Sequence, residues 1–71
     1  MRVAEDFGSV RIVHAGDPMQ VAYDIRVEWL QAGEWTLYHG FNSFSDDYAF
    51  TNSREAAGRA VKRLAAQAAT V

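Results

Sequence analysis

The sequence predicts an α+β fold: a three-stranded antiparallel β-meander, order 1-2-3, with one C-terminal α-helix packed on one face (βββα). Two observations carry this prediction. Large apolar residues alternate with polar ones along two adjoining segments, which is the period of a half-buried strand. The last eighteen residues contain no aromatic residue and are rich in alanine, the best helix former.

The length of 71 residues predicts a single small domain over residues 1–71. A chain of this size buries only about 60% of the surface that its unfolded form exposes. We therefore expect modest stability, or stability shared with a partner.

A first strand is predicted at about residues 9–15, with Val10 and Ile12 facing inward. The Gly16-Asp17-Pro18 sequence after it is typical of a turn. A second strand is predicted at about residues 20–30, where five large apolar side chains occupy the odd positions from Val21 to Trp29.

A third strand is predicted at about residues 34–42, and it forms a hairpin with the second. Both apolar sets occupy odd positions, so odd residues should pair with odd ones, and a three-residue loop from Gln31 to Gly33 gives this register. The expected buried pairs are Trp29 with Trp35, Val27 with Leu37, Ile25 with His39, and Tyr23 with Phe41.

The helix is predicted at about residues 53–69. Asn52 and Glu55 have the spacing of a capping box that begins a helix. Helical spacing then predicts a buried stripe that covers the sheet, formed by Ala57, Val61, Leu64 and Ala68, with Ala60 beside it.

The connection at residues 43–51 is the first candidate for function, because it contains more aromatic residues than a connection needs. Two interpretations stay open: two of the three aromatic side chains complete the core, with a short fourth strand at residues 48–50, or the aromatic side chains form an exposed contact surface. Two aspartates between them are interpreted as solvated, with partner contact or weak calcium binding as the alternative. The candidate protein-binding residues are Phe44, Asp46, Asp47, Tyr48 and Phe50.

Charge is sorted along the chain. Residues 1–53 carry three basic and eight acidic side chains, whereas residues 54–71 carry four basic side chains and one acidic. The net charges of −5 and +3 give the total of −2. The outer face of a packed helix is ordinarily charged, and the alternative is a nucleic-acid-binding face. The candidate residues for that alternative are Arg54, Arg59, Lys62 and Arg63.

Several classes of function are not expected. The chain has no cysteine, which excludes disulfides and thiolate metal sites and suits a cytoplasmic setting. His14 and His39 have no third ligand or activated partner at a suitable spacing, and no phosphate-binding, nucleophile or dinucleotide motif is present. We therefore predict no catalytic residue, cofactor or metal. The start of the sequence lacks the pattern of a signal peptide, and no apolar run is long enough for a membrane span.

The predicted topology resembles that of plant-type AP2 domains and of the arm-binding domains of phage-type integrases, over roughly residues 9–68. The resemblance implies an exposed sheet face that reads DNA, but it is carried by no motif. Here the exposed face carries Asp24 and Glu28 beside Arg11 and Arg26, so it departs from the basic sheets of those domains.

These observations favour a small non-enzymatic protein-interaction or regulatory module, by analogy a phage or bacterial accessory protein. Its expected partner is another protein or a second copy of the chain, and no small-molecule substrate is inferred. The alternative is a nucleic-acid-binding module that uses the basic face of the helix.

Overall fold

A computed structural model describes residues 1–69. The protein is an α+β domain in which a four-stranded antiparallel meander, order β1-β2-β3-β4, is followed by one helix packed against it. The elements are β1 (Arg2–Asp6), β2 (Val10–His14), β3 (Ile25–Gln31), β4 (Glu34–Phe41) and α1 (Ala49–Ala69). The prediction of a helix on one face of a meander is confirmed, and the prediction of three strands is wrong. Residues 70 and 71 of the predicted domain lie outside the described part of the chain.

The additional strand is β1, at the edge of the sheet beside β2. Its sequence, Arg-Val-Ala-Glu-Asp, has no apolar alternation, and four of its five residues are exposed. A bulge between Val3 and Glu5 interrupts its pairing with β2. This strand is ordered by its neighbour rather than by burial, which is why the hydrophobic pattern does not predict it.

The predicted strand at 20–30 begins five residues late, at Ile25. Pro18 lies in a turn in which the backbone N–H groups of Gln20 and Val21 donate to the Asp17 carbonyl, at 2.9 and 3.2 Å. Residues 15–24 therefore form a loop, although apolar alternation continues through it.

The hairpin between β3 and β4 has a two-residue turn, Ala32-Gly33, instead of the predicted three-residue loop. Both residues have left-handed backbone angles, with φ of 54° and 81°, which suits the twist of a tight hairpin. Gln31 therefore pairs with Glu34 and Leu30 with Trp35. All four predicted pairs are wrong: Trp29 pairs with Thr36, Val27 with His39 and Ile25 with Phe41, and Tyr23 lies outside β3. Odd residues pair with even ones only between the turn and Leu37.

A bulge at Tyr38 changes the face that β4 presents. Leu37 pairs with Glu28 and His39 with Val27, so Tyr38 is the additional residue. Before the bulge, Trp35 and Leu37 lie on the outer face; after it, Phe41 lies on the helix side with Ile25. Tyr38 also lies on the helix side, where its ring meets Trp29 edge-on at 4.7 Å.

The core lies between α1 and the inner face of β2 and β3. Four branched aliphatic residues of the sheet meet small residues of the helix, so the helix lies close to the strands. Larger side chains, Trp29, Tyr38, Phe41 and Leu64, pack at its border. The buried cluster consists of Val10, Ile12, Ile25, Val27, Ala49, Ala56, Ala57 and Ala60.

The helix begins at Ala49, so the predicted start at 53 and the predicted cap at Asn52 are wrong. Its buried face is also rotated from the predicted stripe, because Val61 is 40% exposed and Ala68 is exposed. Ser53 is fully buried instead, since its hydroxyl donates to the Phe50 carbonyl at 2.8 Å. The burial of Ala57 and Ala60 is as predicted.

Candidate interaction surface

The alternating strand directions bring two long loops to one end of the sheet, which we call the loop end. It comprises residues 15–24, between β2 and β3, and residues 42–50, which leave β4 and enter the first turn of α1. Within residues 1–69, the other two connections between strands are the short turns that follow β1 and β3, at the opposite end of the sheet. Most of the irregular chain is therefore gathered at one place.

A single amide side chain, that of Asn42, ties the two loops together. Its Nδ2 group faces the carbonyls of Pro18, Val21 and Ala22, at 2.9, 3.2 and 3.4 Å. Its Oδ1 atom accepts a hydrogen bond from the backbone N–H of Phe44, at 2.9 Å. The position of Phe44 is thus linked directly to the shape of the other loop.

Asp24 forms a second link between the loops. It is only 7% exposed, and its carboxylate accepts hydrogen bonds from both the backbone N–H and the hydroxyl of Ser43. Its backbone carbonyl accepts from the N–H of Ala15 at 2.8 Å. A buried carboxylate that accepts several hydrogen bonds stabilises the conformation around it, so the two loops at the loop end have a defined structure.

Large apolar side chains project from this fixed frame into solvent. The three aromatic residues predicted as candidates are exposed by 69% at Phe44, 71% at Tyr48 and 59% at Phe50. Phe50 also touches the ring of His14 edge-on, at 5.5 Å. The interpretation in which these aromatic residues complete the core is therefore wrong.

The other loop adds Met19, Val21 and Tyr23 to the exposed apolar side chains at the loop end. Sequence reasoning missed these three, because it assigned Val21 and Tyr23 to the buried face of a strand. Asp17 and Pro18 just before them indicate a turn, but they do not show how far the loop extends. Among the exposed large apolar residues of 1–69, six of eleven belong to the loop end.

The two predicted aspartates have different roles. Asp46 is half-buried, and its carboxylate accepts from the backbone N–H of Tyr48 at 2.9 Å and from the side-chain amide of Asn52 at 3.1 Å. It closes the turn before the helix, so its carboxylate is already engaged. Asp47 is exposed and has no hydrogen-bond partner within the described chain.

The basic residues of the helix do not form one free patch. Arg54 donates to Glu5 of β1 at 3.1 Å, and the guanidinium of Arg63 lies 5.7 Å from the centre of the Trp29 ring. Arg59 and Lys62 are exposed and have no ion pair among residues 1–69. Two of the four predicted basic residues, Arg54 and Arg63, thus already make contacts within the fold.

The outer face of the sheet carries a compact charged cluster around Glu28. This residue is 6% exposed; it accepts a hydrogen bond from Arg11 Nε at 2.7 Å, and Arg26 Nη2 lies at 3.6 Å. The Arg11 guanidinium also lies 4.2 Å from the centre of the Trp35 ring. Both arginines of this face share one carboxylate, which lowers the positive charge that they offer to an external ligand.

His14 and His39 are separately engaged. Nδ1 of His14 lies 3.3 Å from Nη2 of Arg2, and His39 is exposed and stacks on Phe41 at 4.5 Å. Residues 1–69 contain no group of three or more His, Cys, Asp or Glu side chains placed to hold a metal ion. No helix in the same part of the chain is both long enough and apolar enough to cross a membrane.

Comparisons of this chain with protein-family models, with curated proteins and with solved structures give no significant match.

Proposed function

We propose that this protein is a small non-enzymatic protein-interaction module that binds its partner through the loop end. The observation that carries the proposal is the exposure of Phe44 and Tyr48 on a loop held by Asn42, Asp24 and Asp46, beside the exposed Phe50 in the first turn of α1. Exposed apolar clusters cost solubility, and on small soluble proteins they commonly mark interaction sites.

Rigid loops favour this use. Binding through a flexible loop loses conformational entropy, whereas side chains on a loop that is already ordered lose only their own rotamer freedom. Aromatic side chains are also the residues that most often dominate binding energy at protein interfaces. The loop end thus combines exposed aromatic area with a frame that needs little rearrangement.

The expected partner surface is apolar at its centre and basic at its rim. Asp17, Asp46 and Asp47 lie among the exposed apolar side chains, and no lysine or arginine occurs in residues 15–24 or 42–50. Like charges at a rim slow association, and opposite charges accelerate it. A partner with exposed lysine or arginine around an apolar patch would therefore associate faster at low salt.

Site-specific photo-crosslinking in the source cells tests this proposal. A photoreactive phenylalanine analogue at Tyr48 should give a discrete adduct of defined mass, and Phe44→Ser should abolish that adduct. Phe7 provides the control, because it is an exposed aromatic residue in the turn between β1 and β2, at the opposite end. No adduct at Tyr48, or an equal adduct at Phe7, would count against the proposal.

Nucleic-acid binding through Arg54, Arg59, Lys62 and Arg63 is the alternative outcome, and a gel-shift titration detects it. Binding that weakens steeply with salt and is lost in Arg59→Glu with Arg63→Glu would overturn the proposal. We expect no such binding at physiological salt, because few cations are available and the rest of the surface is acidic.

A further inference from the structure

The edge strand β4 has one side without a partner strand among residues 1–69. It is the longest strand, with eight residues, and residues 35–41 contain no Asp, Glu, Lys or Arg. An edge strand presents unpaired backbone N–H and carbonyl groups, and soluble proteins usually protect such an edge with charge. β4 lacks this protection over most of its length.

The other edge, β1, is protected in three ways. It has only five residues, three of them charged (Arg2, Glu5 and Asp6), and a bulge interrupts it after Val3. Short, charged and bulged strands resist pairing with another chain. The two edges of this sheet therefore differ in what they allow.

We propose that β4 is a dimerisation edge, on which a second copy of the chain places its own β4 in antiparallel orientation. The product is a continuous eight-stranded sheet with a two-fold axis between the two β4 strands. Because antiparallel neighbours related by such an axis show the same face on the same side, both helices lie on one side of this sheet. The surface is distinct from the loop end, so the inference does not depend on the proposed function.

The charge pattern favours a second copy as the occupant. The only ionised side chain of β4 is Glu34, at its first position. In an antiparallel self-pair the two Glu34 residues lie at opposite ends, about 24 Å apart at about 3.4 Å per residue. No like charges then face each other between the strands.

The shape of the edge favours the same occupant. The bulge at Tyr38 adds local twist, which discourages pairing with a flat strand. A second β4 has the same twist, because the two strands of a symmetric pair are identical. Pairing of β4 with β1 of another copy would instead be head-to-tail and open-ended, and the protected β1 edge opposes it.

Sedimentation velocity over a concentration series tests the inference. The chain of 7.9 kDa should sediment at twice that mass at high micromolar concentration. Leu37→Lys introduces a charge near the two-fold axis at an outer-face position that is 41% exposed, and it should raise the dimer Kd about tenfold or more. Val3→Lys is the matched control, because Val3 lies on the outer face of β1 and is 45% exposed; it should leave the Kd unchanged.

Three results would overturn the inference: a monomer at every concentration, an equal loss of dimer in Val3→Lys, or a dimer that survives Leu37→Lys. Loss of the dimer in Phe44→Ser with Tyr48→Ser, with no loss in Leu37→Lys, would place self-association at the loop end instead. If Leu37→Lys fails to fold by circular dichroism, amide exchange of the unmodified protein decides. Protection that rises with concentration should be confined to residues 35–41, and a rise in β1 alone contradicts the proposal.

Discussion

The ring of Tyr23 lies directly over Gly40, in the space that a side chain at position 40 would need. A Cβ atom at this position would overlap the Cγ, Cδ1 and Cδ2 atoms of the ring. Gly40 pairs with Arg26 in β3, so the ring covers the outer face of the β3–β4 pair near the loop end. The loop of residues 15–24 is thus seated on the sheet at a position where only glycine fits.

Gly40→Ala should destabilise the fold by about 1–3 kcal/mol, because the methyl group displaces the Tyr23 ring or bends β4. Urea denaturation followed by tryptophan fluorescence measures the change. The double variant Tyr23→Ala with Gly40→Ala should recover part of the loss, since the overlapping ring is gone. Gly58→Ala is the control. Gly58 is exposed in the helix and a Cβ atom there meets nothing, so this substitution should raise the free energy of unfolding by about 1 kcal/mol. Equal losses in both glycine variants would contradict the assigned contact.

Ala32→Asn should stabilise the hairpin by about 0.5–1 kcal/mol. Ala32 is the one non-glycine residue of the described chain with a positive φ, and asparagine tolerates that conformation better than alanine does. Thermal unfolding should show a higher Tm for this variant, and Ala32→Val should show a lower one. An unchanged or lower Tm in Ala32→Asn would argue against a two-residue turn.

Asp24→Ala should lower the free energy of unfolding by about 1–3 kcal/mol, because it leaves the partly buried N–H and hydroxyl of Ser43 without their acceptor. Amide exchange should show the largest loss of protection in residues 15–24 and 42–48. Asp47→Ala is the matched control, since Asp47 is exposed, and its effect should stay within about 0.5 kcal/mol. If both aspartate variants lose the same stability, Asp24 does not join the two loops.

Glu28→Gln should destabilise the protein by about 1–2 kcal/mol. The substitution keeps the shape but removes the charge that Arg11 and Arg26 share, and part of the Arg11 side chain is buried with it. Equilibrium unfolding at low and high salt measures the loss, which should shrink only modestly with salt because Glu28 is shielded from solvent. Glu34→Gln, at the exposed turn, is the comparison and should be nearly neutral.

The middle strands, the hairpin and the helix could be predicted because each has a local hydrophobic period. β1 could not, because its five residues gain order from pairing with β2 rather than from burial. The start of β3 could not be predicted from the local sequence either. Val21 and Tyr23 continue its alternation, and only the distant Asn42 shows that their segment is a loop, since it binds the carbonyls at 18, 21 and 22.

The candidate site was predictable in part. An excess of aromatic residues at 43–51 identified the segment, but composition could not decide between core and surface. The structure decides between them: the buried cluster consists of valine, isoleucine and alanine, and Phe44 and Tyr48 lie outside it, exposed to solvent. The start of the helix was misplaced because Asp46 and Asn52 are both good residues for a helix start. They bind each other in the fold, and local rules cannot rank two residues that act together.

The bulge at Tyr38 has a consequence for how this sequence tolerates change. One additional residue lets β4 contribute Trp35 to one face of the sheet and Phe41 to the other. Many point substitutions in this strand alter one contact, whereas deletion of a single residue here would exchange the faces of every residue on one side of the gap. During divergence, insertions and deletions in β4 are therefore more damaging than replacements. We expect selection to keep the number of residues between Trp35 and Phe41 constant.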